Sequence, residues 1–244
     1  MPQDDRTQDA PLDWLRSLAG RFVVFDGPDG SGKSTQLARF AAACAAAGVE
    51  VCEVREPGGT AIGERIRAIL LDRHHEGMSL RCEMLLYMAS RAQLVEERIR
   101  PALAAGRLVL ADRFVSSTLA YQGTAGGLPL DDIHGVARIA TGGTMPDLTV
   151  VFDVDPQTII QRTRGVDSRV VRGGRSVAGM KDLFSDRMED KSADADFRAK
   201  VRQGYLDQAA AQPDRYAVVD GTKPPDEVWE RLLVTVRERL APGA

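Results

Sequence analysis

Nine consecutive residues, Gly27-Pro28-Asp29-Gly30-Ser31-Gly32-Lys33-Ser34-Thr35, fit the pattern G-x-x-x-x-G-K-[ST] without a mismatch. Glycines at these places let backbone N–H groups turn inward around phosphate oxygens, Lys33 adds a cation, and the Ser34 hydroxyl is a hard ligand suited to Mg²⁺. The stretch therefore predicts a bound nucleoside triphosphate. Two further groupings have chemical potential. Tyr87 and Arg91 stand four apart in a helical pattern and so project side by side. Asp112 and Arg113 end a strand-like run, Leu108 to Ala111, at the edge where open α/β sheets bind their ligands. Taken alone, Asp112 and Arg113 fit a strand-end ion pair equally well, and Tyr87 fits an ordinary half-buried aromatic.

The elements that must hold these residues are legible around them. Arg21 to Phe25 reads as a buried strand running into the glycine loop. Leu37, Phe40, Ala41 and Cys44 then form a helix stripe that stops at Gly48. This order sets a helix N-terminus, with its unpaired N–H groups and positive dipole end, against the phosphates. Val49 to Val54 alternates as a second strand and ends in the Pro57-Gly58-Gly59 turn. Ile62, Ile66, Ile69 and Leu70 mark a short helix. From Leu80 to about Ala105 a helical stripe runs through Met84, Leu85, Met88, Ala92, Val95 and Ile99, and Pro101 is expected to break or restart it.

Helical segments are expected around 116–122 and 131–141, and a fourth strand over Leu148 to Asp153. Next come a helix opened by Asp155-Pro156, a helix from Asp194 to Gln212, a strand from Tyr216 to Val219 and a last helix through Leu240. Five strands alternating with helices predict a five-stranded parallel sheet covered on both faces, the P-loop nucleotide-kinase architecture. Residues 1–20 read as an N-terminal tail, with Trp14, Leu15 and Leu18 forming a helical turn that docks nearby, and 21–244 as one domain. Within it, 165–193 lacks periodicity, and 162–202 carries 11 Lys/Arg against 7 Asp/Glu. Such a loop fits a basic lid over phosphates, about 162–193, and an ordinary solvated loop equally.

Composition narrows the classes. Thirty-two basic against 35 acidic residues leave no global field for nucleic acid or anionic membranes. Three cysteines without a C-x-x-C pair give neither a disulfide framework nor a zinc site, and His74, His75 and His134 lack ligand spacing. No apolar run approaches a membrane span, and the acidic, polar N-terminus is unlike a signal peptide. A cytoplasmic protein is expected.

Nucleotide binding alone does not name a reaction. The segment Arg55 to Arg67 (REPGGTAIGERIR) does more: it closely resembles the stretch after the second strand in bacterial thymidylate kinases. So do Ala89 to Gln93, Asp112 to Phe114 with Ser117 to Gly123, Pro146 to Leu148, and Phe197 to Leu206, in family order over residues 21–240. The resemblance implies transfer of the ATP γ-phosphate to dTMP, giving dTDP and ADP for dTTP synthesis, with Mg²⁺ as cofactor and a homodimeric assembly. It implies an acceptor site of Glu56, Pro57, Tyr87 stacked on thymine, Arg91 bonded to the base, Ser117, Thr118, Gln122 and Tyr121 beneath the deoxyribose. Arg113 would hold the acceptor phosphate, Asp29 would lie near acceptor and metal, and Ser34 and Asp112 would serve Mg²⁺. Arg162 would flank adenine. Some relatives carry an arginine inside the phosphate loop, where this chain offers Pro28, Gly30 and Ser31. A lid arginine is then expected, first Arg187 in the Asp186-Arg187-Met188-Glu189 motif, with Arg169, Arg172 or Arg175 of the inserted 165–185 stretch as substitutes. Gly126 stands where many relatives have arginine, and Ser116 where many have aspartate. Another deoxynucleotide or deoxynucleoside kinase, and a nucleotide-binding module without transfer activity, are the competing readings.

Overall fold

In the computed structural model, residues 12–75, 77–164 and 194–243 are described. Five parallel strands, β1 (Phe22–Asp26), β2 (Val51–Arg55), β3 (Leu108–Asp112), β4 (Leu148–Asp153) and β5 (Tyr216–Asp220), form one sheet in the order β2-β3-β1-β4-β5. The phosphate-loop strand β1 is central, and all five of its residues are buried. Alternation along it divides the core. Val23 and Phe25 pack with Leu37, Phe40 and Trp229 on one face, while Phe22 and Val24 pack with Met84, Met88 and Phe114 on the other. A strand apolar on both sides suits a parallel sheet sandwiched by helices.

Those helices are α1 (Lys33–Ala46), α2 (Ala61–Leu71), α3 (Leu80–Leu94), α4 (Arg100–Ala104), α5 (Val115–Thr118), α6 (Leu130–Thr141), α7 (Pro156–Arg164), α8 (Ala195–Ala211) and α9 (Pro225–Leu240). Side-chain caps start several of them: Thr60 accepts from Gly63 N–H, Ser79 from Cys82 N–H and Asp194 from Asp196 N–H.

One expectation needs correction. Pro101 neither breaks nor restarts the helix, because a π-helical turn, Val95–Ile99, carries α3 into α4. The wider turn shifts the hydrogen-bond register just ahead of Pro101, where an α-helix would call for the N–H that proline lacks. The helical turn expected at Trp14, Leu15 and Leu18 is a 3₁₀ helix, Leu12–Leu18, and these three residues dock into the core of β1 and α9. Along the stripes around 84–99 and 131–140, Met84, Met88, Val95, Ile99, Ile133 and Ala137 are buried in the core, while Leu85 is exposed.

At the β1–loop junction Gly27 adopts φ 140°, and a Cβ there would lie 2.6 Å from the Phe152 carbonyl oxygen. Neither backbone can yield, since Phe152 lies in β4, which pairs with β1. Gly27→Ala is expected to cost about 3 kcal/mol of stability, read as a lowered Tm in thermal unfolding.

Candidate active site

The phosphate loop leaves β1 at Gly27 and ends at Gly32 (φ 87°), the N-cap of α1, which has no side-chain cap. The first N–H groups of α1 therefore face the loop unclaimed by a capping side chain, in the arrangement that favours anions. Ser31 Oγ is buried there without a hydrogen-bond partner. Lys33 is almost fully buried, and its Nζ lies 3.4 Å from Asp29 Oδ1.

From the other side Arg113 arrives. Its Nη2 donates to the same Asp29 Oδ1, its Nη1 donates to Ser117 Oγ (2.9 Å) and Tyr205 OH (3.2 Å), and its guanidinium lies 5.3 Å from the Tyr121 ring centroid. Burial alone would raise the Asp29 carboxyl, but Arg113 and then Lys33 outweigh it and hold it at about 2. Arg113 has φ 74°, a left-handed conformation that non-glycine residues seldom adopt. An outlier of this kind marks a place where the surroundings impose a geometry.

Beside the loop, Ser34 Oγ donates to Asp112 Oδ2 at 3.3 Å, and Asp112 Oδ1 is buried without a partner. A hydroxyl and an orphaned carboxylate oxygen are a hard-oxygen set that fits Mg²⁺, an ion that keeps several waters and substrate oxygens of its own. Among the described residues no cluster of three His, Cys, Asp or Glu could hold a metal unaided.

A second pocket wall is built by α3, the loop after β2 and the Val115–Ala125 segment, whose later part, Leu119–Ala125, is a π-helix. Arg91 is 1% exposed there. Its Nε donates to Glu56 Oε2 (2.8 Å), its Nη2 to Phe114 O (2.9 Å) and Thr118 Oγ1 (3.2 Å), and its Nη1 meets only the Met88 thioether (2.9 Å). Nη1 thus holds most of the remaining donor capacity, since sulfur is a weak acceptor. Glu56 precedes Pro57, and its Oε1 is buried without a partner. Burial pushes the Glu56 carboxyl up to about 7, although Arg91 beside it pulls the other way. Gln122 is buried and donates from Nε2 to Glu83 Oε1 at 2.8 Å, and Tyr87 is half-buried one turn before Arg91.

The structure thus brings Asp29, Lys33, Ser34, Asp112, Arg113, Ser117 and Tyr121 together, and joins Glu56, Arg91 and Thr118 in one hydrogen-bonded group. Arg162 lies apart from both, its Nη2 donating to the Thr222 carbonyl (3.3 Å) after β5. Arg187, the basic stretch 165–193 and the substitutes Arg169, Arg172 and Arg175 lie outside the described residues. Two departures acquire a physical reason. A Cβ on Gly126 would sit 2.7 Å from the Gln122 carbonyl oxygen and 2.8 Å from Leu80 Cδ2, so no arginine fits this turn. Ser116 donates to Asp26 Oδ2 at 2.5 Å, where an aspartate would oppose one carboxylate with another. Asp26 and Tyr205, both central to the site, received no role from the sequence: one is a strand-end carboxylate, and the other falls within the Phe197–Leu206 segment but reads there as a tyrosine in a long helix.

A parallel sheet with a phosphate loop on its central strand, and a second basic site facing that loop, define a P-loop nucleotide kinase. The thymidylate kinase family model matches residues 25–232. The chain belongs to the thymidylate kinase family. Thymidylate kinase of Solidesulfovibrio magneticus is 44% identical over 219 residues, covering 90% of this chain and 100% of that one. Thymidylate kinase of Deinococcus radiodurans is 45% identical over 220 residues, covering 90% and 98%. The crystal structure of thymidylate kinase from Ehrlichia chaffeensis superposes with a TM-score of 0.67 at 26% identity, covering 89% of this chain and 98% of that one.

Proposed function

We propose that this chain transfers the γ-phosphoryl group of ATP to dTMP, producing dTDP and ADP. The observation that carries the reading is the convergence of Lys33, from the phosphate loop, and Arg113, from the end of β3, on one oxygen of Asp29. Two cations from two sites face each other across a single carboxylate, so an anion on each can meet in line.

An acceptor phosphate oxygen is already anionic and needs no general base, so catalysis reduces to alignment and charge stabilisation. Lys33, Ser31 and the main-chain N–H groups at the start of α1 bind the donor phosphates. Arg113 holds the acceptor phosphate, and Tyr121, against which it rests, closes the sugar side. Arg91 and Thr118 read the base, with Glu56 fixing the Arg91 plane, Pro57 shaping the loop, Gln122 held by Glu83, and Tyr87 stacking from α3. Ser117 supports Arg113, and Arg162 flanks the adenine. Mg²⁺, held by Ser34 and Asp112, supplies charge neutralisation on the phosphates. Asp29 stays ionised and separates the two cations until substrates arrive. A further cation is assigned to Arg187. We assign the reaction to the cytoplasm. Among the described residues no helix is long and apolar enough to cross a membrane. We assign a homodimer on exposed Ile62 and Ile69 of α2 and Leu85 of α3, which packs against α2; sedimentation velocity checks it.

ADP release with Mg-ATP and dTMP, dUMP, dCMP, dGMP, AMP, UMP or thymidine offered separately tests the reading. Strong preference for dTMP, a weaker response to dUMP and loss of turnover with EDTA are expected. Slow ADP release that no acceptor stimulates would overturn it in favour of a nucleotide-binding module.

A further inference from the structure

The carboxylate of Asp26 ends β1, is 0% exposed, and is surrounded by donors. Its Oδ1 accepts from Gly27 N–H (2.9 Å), Ser117 Oγ (2.7 Å) and Tyr205 OH (2.6 Å), and its Oδ2 from Ser116 Oγ (2.5 Å). Arg113 Nη1 lies 3.6 Å from the same Oδ1, beyond a hydrogen bond. The contact between them runs instead through the two hydroxyls, since Nη1 donates to Ser117 Oγ at 2.9 Å and to Tyr205 OH at 3.2 Å.

Ser117 and Tyr205 also lie 2.9 Å from each other, a contact in which either oxygen could donate. Each has a shorter contact to Asp26 Oδ1, at 2.7 and 2.6 Å, and a carboxylate only accepts, so their protons are directed at Asp26. A guanidinium only donates, so it needs acceptors, and the lone pairs of those two hydroxyls are what remains to it. Burial, and then the neighbouring Asp26, raise the Tyr205 phenol well above its ordinary range and keep its proton in place. The Nη1 edge of Arg113 is thereby tied to α8 and α5, while its Nη2 edge is turned toward Asp29 and the phosphate loop.

We propose that Asp26 and Tyr205 are positioning residues that act through Ser117 and Arg113. They convert two hydroxyls into oriented acceptors, which aim Arg113 at the 5′-phosphate of the acceptor nucleotide. The proposal rests on the reading of dTMP as acceptor, and it concerns only the phosphate end of that ligand. Tyr205→Phe removes one acceptor while keeping the ring that meets Tyr121 edge-on at 6.4 Å. Asp26→Asn keeps an oxygen where Gly27 N–H, Ser117 and Tyr205 donate, sets its N–H₂ against Ser116, and removes the charge that holds the two hydroxyl protons.

The test measures KM for dTMP and for ATP, kcat, and inhibition by thymidine competing with dTMP, in the wild-type chain, Tyr205→Phe and Asp26→Asn. Tyr205→Phe is expected to raise KM for dTMP about tenfold, with KM for ATP and the thymidine inhibition constant within twofold of wild type. Asp26→Asn is expected to show the same split with a larger rise. Equal losses for dTMP and thymidine would mean a structural role and overturn the proposal. So would an unchanged KM for dTMP in Tyr205→Phe, the variant that keeps the packing if Asp26→Asn fails to fold. A wild-type chain that does not use dTMP would instead overturn the acceptor assignment, a distinct result.

Discussion

Arg113→Met is expected to lower kcat/KM for dTMP by about 10³-fold or more, with KM for ATP changed little. The size follows from what the guanidinium does in a largely buried position, where it is 16% exposed. A charge fixed before the reaction costs no reorganisation when phosphoryl charge develops, and removing one such group costs roughly 3–4 kcal/mol in the transition state. Methionine keeps the length of the side chain and supplies no donor. Lys33→Met acts on the donor side and should instead depress kcat with KM for dTMP preserved. Steady-state kinetics in which each substrate is varied at saturating levels of the other separates the two, and similar losses in both substrates for both variants would contradict the two-site geometry. The backbone at position 113 sharpens the comparison: Arg113→Gly relieves the left-handed strain, of order 1–2 kcal/mol, but leaves buried Asp26 without its neighbouring cation. The strain is tolerated for where it aims the side chain.

Why so much of this site could be anticipated, and why part of it could not, follows from how far apart in the chain its members lie. The phosphate loop is local: strand, glycines, lysine and helix are contiguous, so spacing alone carries their geometry. Tyr87 and Arg91 are joined by helical period, and Arg113 follows a recognisable strand. Asp26 meets Tyr205 across 179 positions, a pairing that parallel-sheet topology creates and no window contains. The π-helical turn before Pro101 was invisible for a related reason. A proline in a helical stripe reads as a stop, and only the packing of Val95 and Ile99 into the core reveals a wider turn that keeps the stripe continuous.

Arg91→Met separates structure from recognition, because its consequences depend on pH in a way that base reading alone would not. The side chain is buried against Glu56, whose carboxyl is raised to about 7 by burial despite Arg91. A folded-state value above the ordinary one means that Glu56 favours folding most below about 4.5 and gives up that contribution as pH rises toward 7. In wild type the loss ends there, since the ionised carboxylate pairs with the guanidinium. Without Arg91 the carboxylate has no cation, its folded-state value climbs further, and stability continues to fall above pH 7 by up to about 1.4 kcal/mol per pH unit. At pH 6 the variant escapes most of this penalty by staying protonated; by pH 9 the cost should approach the roughly 3–5 kcal/mol of a broken buried pair. Thermal unfolding across pH 6–9 should therefore show wild-type and variant Tm diverging. In a Glu56→Gln background the same substitution should lose that pH dependence, because no carboxylate is left to ionise. Affinity for dTMP should stay low in the double variant, since restoring stability does not restore the Nη1 donor. A Tm difference that is flat with pH in the single variant would show that Glu56 and Arg91 are not coupled.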